Sequence, residues 1–428
     1  FQDRRKEVFL NLRHEITQLS NECFEKGLTQ AAADLTAASL DLTVSSGSSE
    51  LPRFAQLPIN VALPQAEQAW RTRFRGLRED RATELYVVAR RCLQADLPAL
   101  AYNIVHDVLR LNPDHRHARS ILGQQLFHDR ARQNEPAYAG EWVSPFEAQR
   151  RSGRNPETNH PDFGWIPVSY VERYENGERY YRGRWISKQK EVELRRDFQN
   201  CWEIRTENFL VKTNASLEEG VAISRKLERF HGWLTTNMAA FFDTPQALEE
   251  KFEQAQVRRH VVQDRPMEVH FYASRDEYNR RLRGKIPADR VTNGVYWEPD
   301  LTCYFFRNPE DPEQRTVFHE ATHQIFDMAT KQHRLTAARR RKLLMRERQI
   351  RPWRICEHSN FWIIEGLACY FESFEINDGV VTVGSPEYIR FRGAKQRYLQ
   401  DGFYVPLQNF MALGHDDFMR HPNVAQFY

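Results

Sequence analysis

Six cysteines are all the sequence has, and none stands in C-x-x-C spacing. That excludes a zinc knuckle and a small disulfide framework, and it leaves Cys23, Cys92, Cys201, Cys303, Cys356 and Cys369 to read as small buried hydrophobes. Long apolar runs are missing too: no stretch of about 18 apolar residues occurs, so no segment is suited to span a membrane as a helix. Net charge is low, +3 with a pI near 8.5, and does not by itself demand nucleic acid. An initiator Met is absent, and a start at Phe1 is compatible with a removed signal peptide or a trimmed chain. What is present is bulk: 428 residues, 41% of them hydrophobic, suffice for a real core and for two or three domains.

Along the chain, residues 1 to about 35 read as one amphipathic helix, followed by "TAASLDLTVSSGSSELPRFAQLP", a linker or loosely packed loop. Two apolar-periodic helices come next, broken at Asp96-Leu97-Pro98 and stopped at Asn112-Pro113. Ala89 and Ala101 fall where antiparallel helices need close approach. Pro113 follows twelve residues after Ala101, and Gly123 takes the small-residue position of a following pair. This spacing resembles a tetratricopeptide repeat, with Leu85 where the repeat prefers Trp; a plain helical hairpin is the alternative. Residues 129–164 are polar with Pro and Gly, as expected of an inter-domain crossing. Asn176-Gly177 between aromatic and β-branched runs predicts a β-hairpin. Ser216 with Glu219 predicts a helix start, "MEVHFY" (267–272) a strand, Ser274 the next helix start, and 294–306 a hairpin turning at Glu298-Pro299-Asp300.

The chemistry lies in "TVFHEATHQIF", residues 316–326. His319 and His323 stand at i and i+4, about 40° apart around a helix, so both imidazoles can reach one metal ion. Glu320 lies one step round, where its carboxylate can touch a metal-bound water without being a ligand. In a chain with fifteen histidines this pattern arises by chance in roughly a few per cent of cases, so a third ligand is needed. Glu365 supplies it, 42 residues beyond His323 in the apolar "NFWIIEGLACYFESFE". A glutamate among Phe361, Trp362, Ile363 and Ile364 is costly to bury unless paired or metal-bound. Glu365, Cys369 and Glu372 share one helical face by their spacing.

Together, H-E-A-T-H and W-I-I-E-G-L-A-C-Y-F-E resemble the glutamate-zincin (gluzincin) metallopeptidases, specifically the little-characterised peptidase-MA-like bacterial families. "WEIRTENFLVKTNASLEEG", "VHFYASRDEY" and "NGVYW" extend the likeness over roughly 200–428. The resemblance implies an α+β chain in which a zincin-like catalytic domain of mixed sheet and metal-binding helices (201–428) follows an α-helical hairpin or repeat region (1–128) and a linker with a small β-hairpin (129–200). It implies Zn2+ held by His319, His323 and Glu365, with Glu320 as general base. Thermolysin-like members carry Asp where this chain has Cys369, so Glu372 or Asp327 is expected to orient a ligand imidazole. For the oxyanion, Tyr428 stands at the position of that family's Tyr-x-Gln helix, with Tyr404 and His415 as alternatives. Gly294, Val295 and Tyr296 are expected to form an edge strand on which an extended peptide adds. An extracytoplasmic setting also follows from the likeness alone.

The Arg-rich stretch 334–354 reads as a solvated helix face or an electropositive rim; with Trp353 as its sole aromatic it lacks the rings to stack bases, so nucleic acid is not the expected partner. The expected partner is a peptide or protein substrate, with a further protein partner on the helical region. The rival reading is an interaction protein whose zincin-like domain is a structural or vestigial scaffold.

Overall fold

The computed structural model describes residues 1–42, 51–242, 245–254, 266–286, 292–311, 314–334, 356, 358–377, 380–386 and 388–420. It is a mixed α/β protein that divides into two compact units, one of Phe1–Gly153 with Leu234–Val262 and one of Arg154–Trp233 with Gln263–Tyr428. No helix among the described residues is long and apolar enough to cross a membrane.

The first unit is helical. The expected single N-terminal helix is two, α1 (Gln2–Glu25) and α2 (Thr29–Leu40). Gly27, at φ +76°, ends α1, and the Leu28 amide closes back on the Cys23 carbonyl at 2.9 Å, a helix-terminating arrangement that only glycine enters without strain. Val8, Leu12, Ile16, Leu19 and Cys23 form the buried stripe of α1. The predicted pair of helices follows as α3 (Gln65–Gln94) and α4 (Pro98–Leu111), with Ala89 and Ala101 both fully buried. Pro98 opens α4 at the one turn where a missing N–H costs nothing. The second repeat-like pair is not formed: α5 (Arg116–Ile121) lasts six residues, and Gly123 (φ +72°) turns the chain out of the helix.

The described parts of the first linker, expected as a linker or loose loop, and the 129–164 crossing both carry defined contacts. Part of the first linker belongs to α2, and beyond it Phe54 bridges Glu141 while Trp142 N–H donates to Arg53 O at 2.8 Å. In the 129–164 crossing, which contains the boundary between the two units at residues 153–154, residues 141–142 contact the rest of the helical unit. Glu141, 4% exposed, takes the guanidinium groups of Arg53, Arg132 and Arg151, and Trp142 Nε1 donates to Asp114 Oδ1 at 2.8 Å. Three arginines thus neutralise the one buried carboxylate of this polar segment.

A threefold pattern that the sequence reading passed over runs through residues 125–195. β1 (Gln125–Phe127), β2 (Glu141–Val143) and α6 (Pro145–Arg151) form a hairpin and helix. So do β3 (Glu157–His160), β4 (Gly164–Pro167) and α7 (Val171–Glu175), and then β5 (Glu178–Tyr181), β6 (Arg184–Ser187) and α8 (Lys188–Arg195). Each outgoing strand carries a tryptophan, Trp142, Trp165 and Trp185, and Ser144 and Ser187 cap the helices that follow. The expected turn at Asn176-Gly177 is the end of α7 instead, with Gly177 at φ +83°. The hairpin turns at Arg182-Gly183, both at positive φ, as a tight two-residue turn requires.

The second unit contains the sheet, in the order β10-β11-β9-β8-β7: β7 (Trp202–Arg205), β8 (Phe209–Thr213), β9 (Met267–Tyr272), β10 (Gly294–Trp297) and β11 (Thr302–Phe306). The three central strands are parallel and both edge strands antiparallel. α9 (Leu217–Asn237) starts at the predicted Ser216, whose Oγ accepts from Glu219 N–H at 3.1 Å; after the short helices α10 (Ala239–Phe242) and α11 (Pro245–Gln254), Ser274 caps α12 (Arg275–Arg281) in the same way. α13 (Thr316–Arg334) is tied to the sheet by Gln324, whose amide donates to Glu268 O and Leu301 O, both at 2.9 Å. Phe230 and Trp233 of α9 meet Phe371 of α14 (Phe361–Phe371) and Phe374, and Phe230 also meets Phe318 of α13. That aromatic cluster fixes α13 and α14 against each other from behind, which sets the distance between their polar faces.

Candidate functional site

α13 and α14 bring His319, His323 and Glu365 together. The two Nε2 atoms lie 3.2 Å apart. Glu365 meets each ring with one carboxylate oxygen, His319 Nε2 at 3.5 Å and His323 Nε2 at 3.4 Å. Glu365 and His319 are 7% and 8% exposed. Burial opposes a charged Glu365, but the two imidazoles outweigh it and hold its carboxyl at about 2, below the usual range. Burial opposes a charged His319 as well; contacts with Cys369, Glu365 and Glu372 and the field of Glu320 overcome it, and its pKa is raised. His323 is lowered, by burial first. The cluster therefore already favours one positive charge between three carboxylates.

Glu372 lies 2.8 Å from His319 Nδ1. The contact is one of charge, since the ring N–H is not aimed along it as a formed hydrogen bond would be. Arg390 grips the same carboxylate in a fork, Nε to Oε2 at 2.8 Å and a terminal nitrogen to Oε1 at 2.6 Å, and Tyr388 Oη donates at 2.9 Å. Burial works against the Glu372 anion, but His319 and Arg390 bring its pKa down to about 2. Glu372 thus sits where the orienting carboxylate was expected. Asp327, the other candidate, does not take that place: it accepts from Tyr296 Oη at 2.5 Å, so it ties the middle of the histidine-bearing helix to β10.

Glu320 is held from the strand side, its Oε2 accepting from the Tyr296 backbone N–H at 2.7 Å. Gly294, Val295 and Tyr296 line the same ≈ 710 Å³ cavity as His319, Glu320, His323 and Glu365. Gly294 is required by packing: a Cβ there would come within 2.9 Å of the Phe305 ring and of Thr316 Cγ2. Val295 also packs against the cluster of Phe198, Tyr272, Tyr304 and Phe306.

Two clusters of donor atoms able to hold a metal ion occur among the described residues, His319, His323 and Glu365, and His319, Cys369 and Glu372. They share His319. The second is the poorer host, because both oxygens of Glu372 are already engaged by Arg390 and Tyr388. Of the proposed oxyanion donors, Tyr428 lies outside the described residues, as does the Arg-rich stretch from 335 onward. Tyr404 is 67% exposed and apart from the cavity lining, whereas His415 lines the cavity, with its ring 4.8 Å from that of Phe361 and Nδ1 2.8 Å from Asp416 Oδ1. Sequence reasoning missed Tyr388 and Arg390. No motif marks them, and only the return of the chain after β12 (Glu375–Asn377) and β13 (Val380–Thr382) brings them to Glu372.

Compared with protein-family models, curated proteins and solved structures, the chain matches none of them.

Proposed function

We propose that this protein is a zinc-dependent peptidase in which His319, His323 and Glu365 hold one ion and Glu320 is the general base. The observation that carries the reading is the triangle of donor atoms, with edges of 3.2, 3.4 and 3.5 Å. A tetrahedral ion with bonds of about 2.0–2.1 Å needs donors about 3.3–3.4 Å apart, the geometry of Zn2+ with imidazole and carboxylate. Two imidazoles and a carboxylate also suit zinc chemically, and three protein ligands facing a cavity leave the open position a catalytic site requires. The likeness of H-E-A-T-H and the Glu365 segment to gluzincins points the same way.

Bound there, the ion supplies a Lewis acid that lowers the pKa of water from about 16 to about 7. The remaining work belongs to the chain. Glu320, fixed on the flank by the Tyr296 amide, takes the proton of the attacking water and delivers it to the departing amine. Glu372, backed by Arg390 and Tyr388, holds the His319 ring. β10 is an edge strand, so an extended peptide adds to it by main-chain hydrogen bonds. His415 takes the role of donor to the developing oxyanion.

Metal analysis beside casein cleavage tests the reading. Wild type is expected to carry about one zinc per chain. Glu320→Gln should keep the zinc and lose about 10²–10⁴ in rate, whereas Glu365→Ala should lose zinc as well. Zinc-replete preparations without metal would refute the site. Zinc without cleavage across a wide substrate panel, with Glu320→Gln indistinguishable from wild type, would replace the enzyme by an interaction protein.

A further inference from the structure

The helical unit holds a cavity of its own, ≈ 480 Å³, within the usual size range of small-ligand sites. One face of α3 lines it with Trp70, Arg71, Phe74, Arg75 and Arg78. The segment 56–63 forms another wall through Leu57, Ile59 and Leu63, and the buried Leu35 and Leu111 complete the apolar lining.

Its charges do not balance. Among the described residues three arginines line it against a single acid, Asp34, which is exposed and held by Gln30 Nε2 at 2.8 Å. Arg71 is accounted for, 3.2 Å from Glu67 and stacked over Trp70. Arg75 gives one N–H to Leu57 O at 2.6 Å and Arg78 one to Arg110 O at 2.6 Å. Among the described residues neither has a carboxylate partner. Like charges three residues apart on a helix repel, and burial lowers the pKa of Arg78. A guanidinium carries five N–H donors in a planar fork, so each of these retains donors in the geometry that a carboxylate accepts.

We propose that this cavity binds a short apolar ligand through its free carboxylate, the carboxylate on Arg75 and Arg78 and the apolar body against Leu57, Ile59, Leu63 and Phe74. Two sources have that chemistry, the C-terminus of a peptide ending in an aliphatic residue and a free medium-chain acid. The site does not depend on the metal centre.

Calorimetric titration of the full chain separates the outcomes, with three probes: N-acetyl-Ala-Ala-Leu as free acid, the same tripeptide as C-terminal amide, and octanoate. Saturable binding of the free acid is expected, with the amide at least about 10-fold weaker for loss of the charge-assisted fork. Octanoate binding as tightly as the tripeptide identifies the free acid as the source; octanoate binding much more weakly identifies the peptide terminus. Arg75→Gln and Arg78→Gln should each weaken binding by about 10-fold or more, and Arg78→Lys, which keeps charge but not the fork, by less. Arg73→Gln, on the same helix but paired with Glu22 and outside the lining, should leave it unchanged. Should Arg78→Gln fail to fold, Arg75→Gln and Arg78→Lys decide. Failure of both acids to bind at millimolar concentration, equal binding of acid and amide, or binding indifferent to Arg75 and Arg78 would overturn the proposal.

Discussion

Among the described residues, six carboxylates meet three Lys or Arg side chains in the cavity at His319 and Glu365, and three arginines meet one aspartate in the cavity beside Arg75 and Arg78. The two are opposite in sign but alike in kind. Each concentrates charge at a partly desolvated surface where pairing within the protein is incomplete, and such an imbalance is costly until an ion of the other sign arrives. The difference lies in how the excess is managed. At the acidic cavity Glu372 is buried and satisfied by Arg390 and Tyr388, so the surplus is focused on the His319, His323 and Glu365 triangle. At the basic cavity Arg71 is paired with Glu67, whereas Arg75 and Arg78 hydrogen-bond to carbonyl oxygens, at Leu57 and Arg110, Arg78 also lying over the Phe74 ring, and neither meets a carboxylate among the described residues. One site is braced for a point charge; the other presents forks to a planar anion.

Removing one arginine from each cavity puts the comparison at greatest risk. Arg390→Leu strands a buried carboxylate and should cost about 3–5 kcal/mol in chemical denaturation, with a 10–100-fold loss of zinc affinity, both by order of magnitude. Arg78→Leu strands no anion and should cost only about 1 kcal/mol, a lost hydrogen bond to Arg110 O. Equal costs would show that Arg78 is a structural cation and that the two cavities do not differ as described.

A pH titration of the metal-free protein is the next test. Glu372 has its folded pKa lowered from 4.5 to about 2, so its contribution is fully present above pH 4.5 and disappears as pH falls toward 2. By linkage it is worth a few kcal/mol. Unfolding midpoints followed from pH 6 to pH 2 should drop across that window, and Glu372→Gln should flatten the drop. An unchanged slope in the variant would remove Glu372 from the balance of charge. A smaller effect than at Glu372 is expected at the strand: Tyr296→Phe removes a donor to Asp327, which is 7% exposed, at about 1–2 kcal/mol, while zinc content should stay at wild type because none of the proposed ligands is touched. Loss of zinc in that variant would mean that β10 positions the metal helix itself.

Much of this was legible from residue order, because the signals are local. Histidines at i and i+4 share a helical face wherever the helix lies; Ser216 and Ser274 cap whatever helix follows; Pro98 and Asn112-Pro113 bound α4 by backbone sterics alone. The same local reasoning failed where one signal has two solutions. Asn176-Gly177 supplies a positive φ that ends a helix as readily as it turns a hairpin, and Gly27 divides a continuous amphipathic stripe in two. The polar 129–164 segment does contain the boundary between the two units, but composition does not reveal that Glu141 within it will be neutralised by arginines from as far away as residue 53.

The sequence by itself determined the candidate set: two imidazoles and a flanking glutamate on one helix, and a glutamate in an apolar segment that could hardly be buried without a partner. Tertiary structure alone decided which carboxylate faces which ring. Glu372 rather than Asp327 meets His319, Asp327 turns to Tyr296, the Tyr296 amide holds Glu320, and Arg75 and Arg78 are left without an acid among the described residues. Helical periodicity fixes angles within one element, but a pairing between elements depends on the separation set by the packing behind them, here the Phe230, Phe318, Phe371 and Phe374 cluster. The strength of a charge pair varies with that separation and with the water excluded from it, and neither quantity is written in the order of the residues.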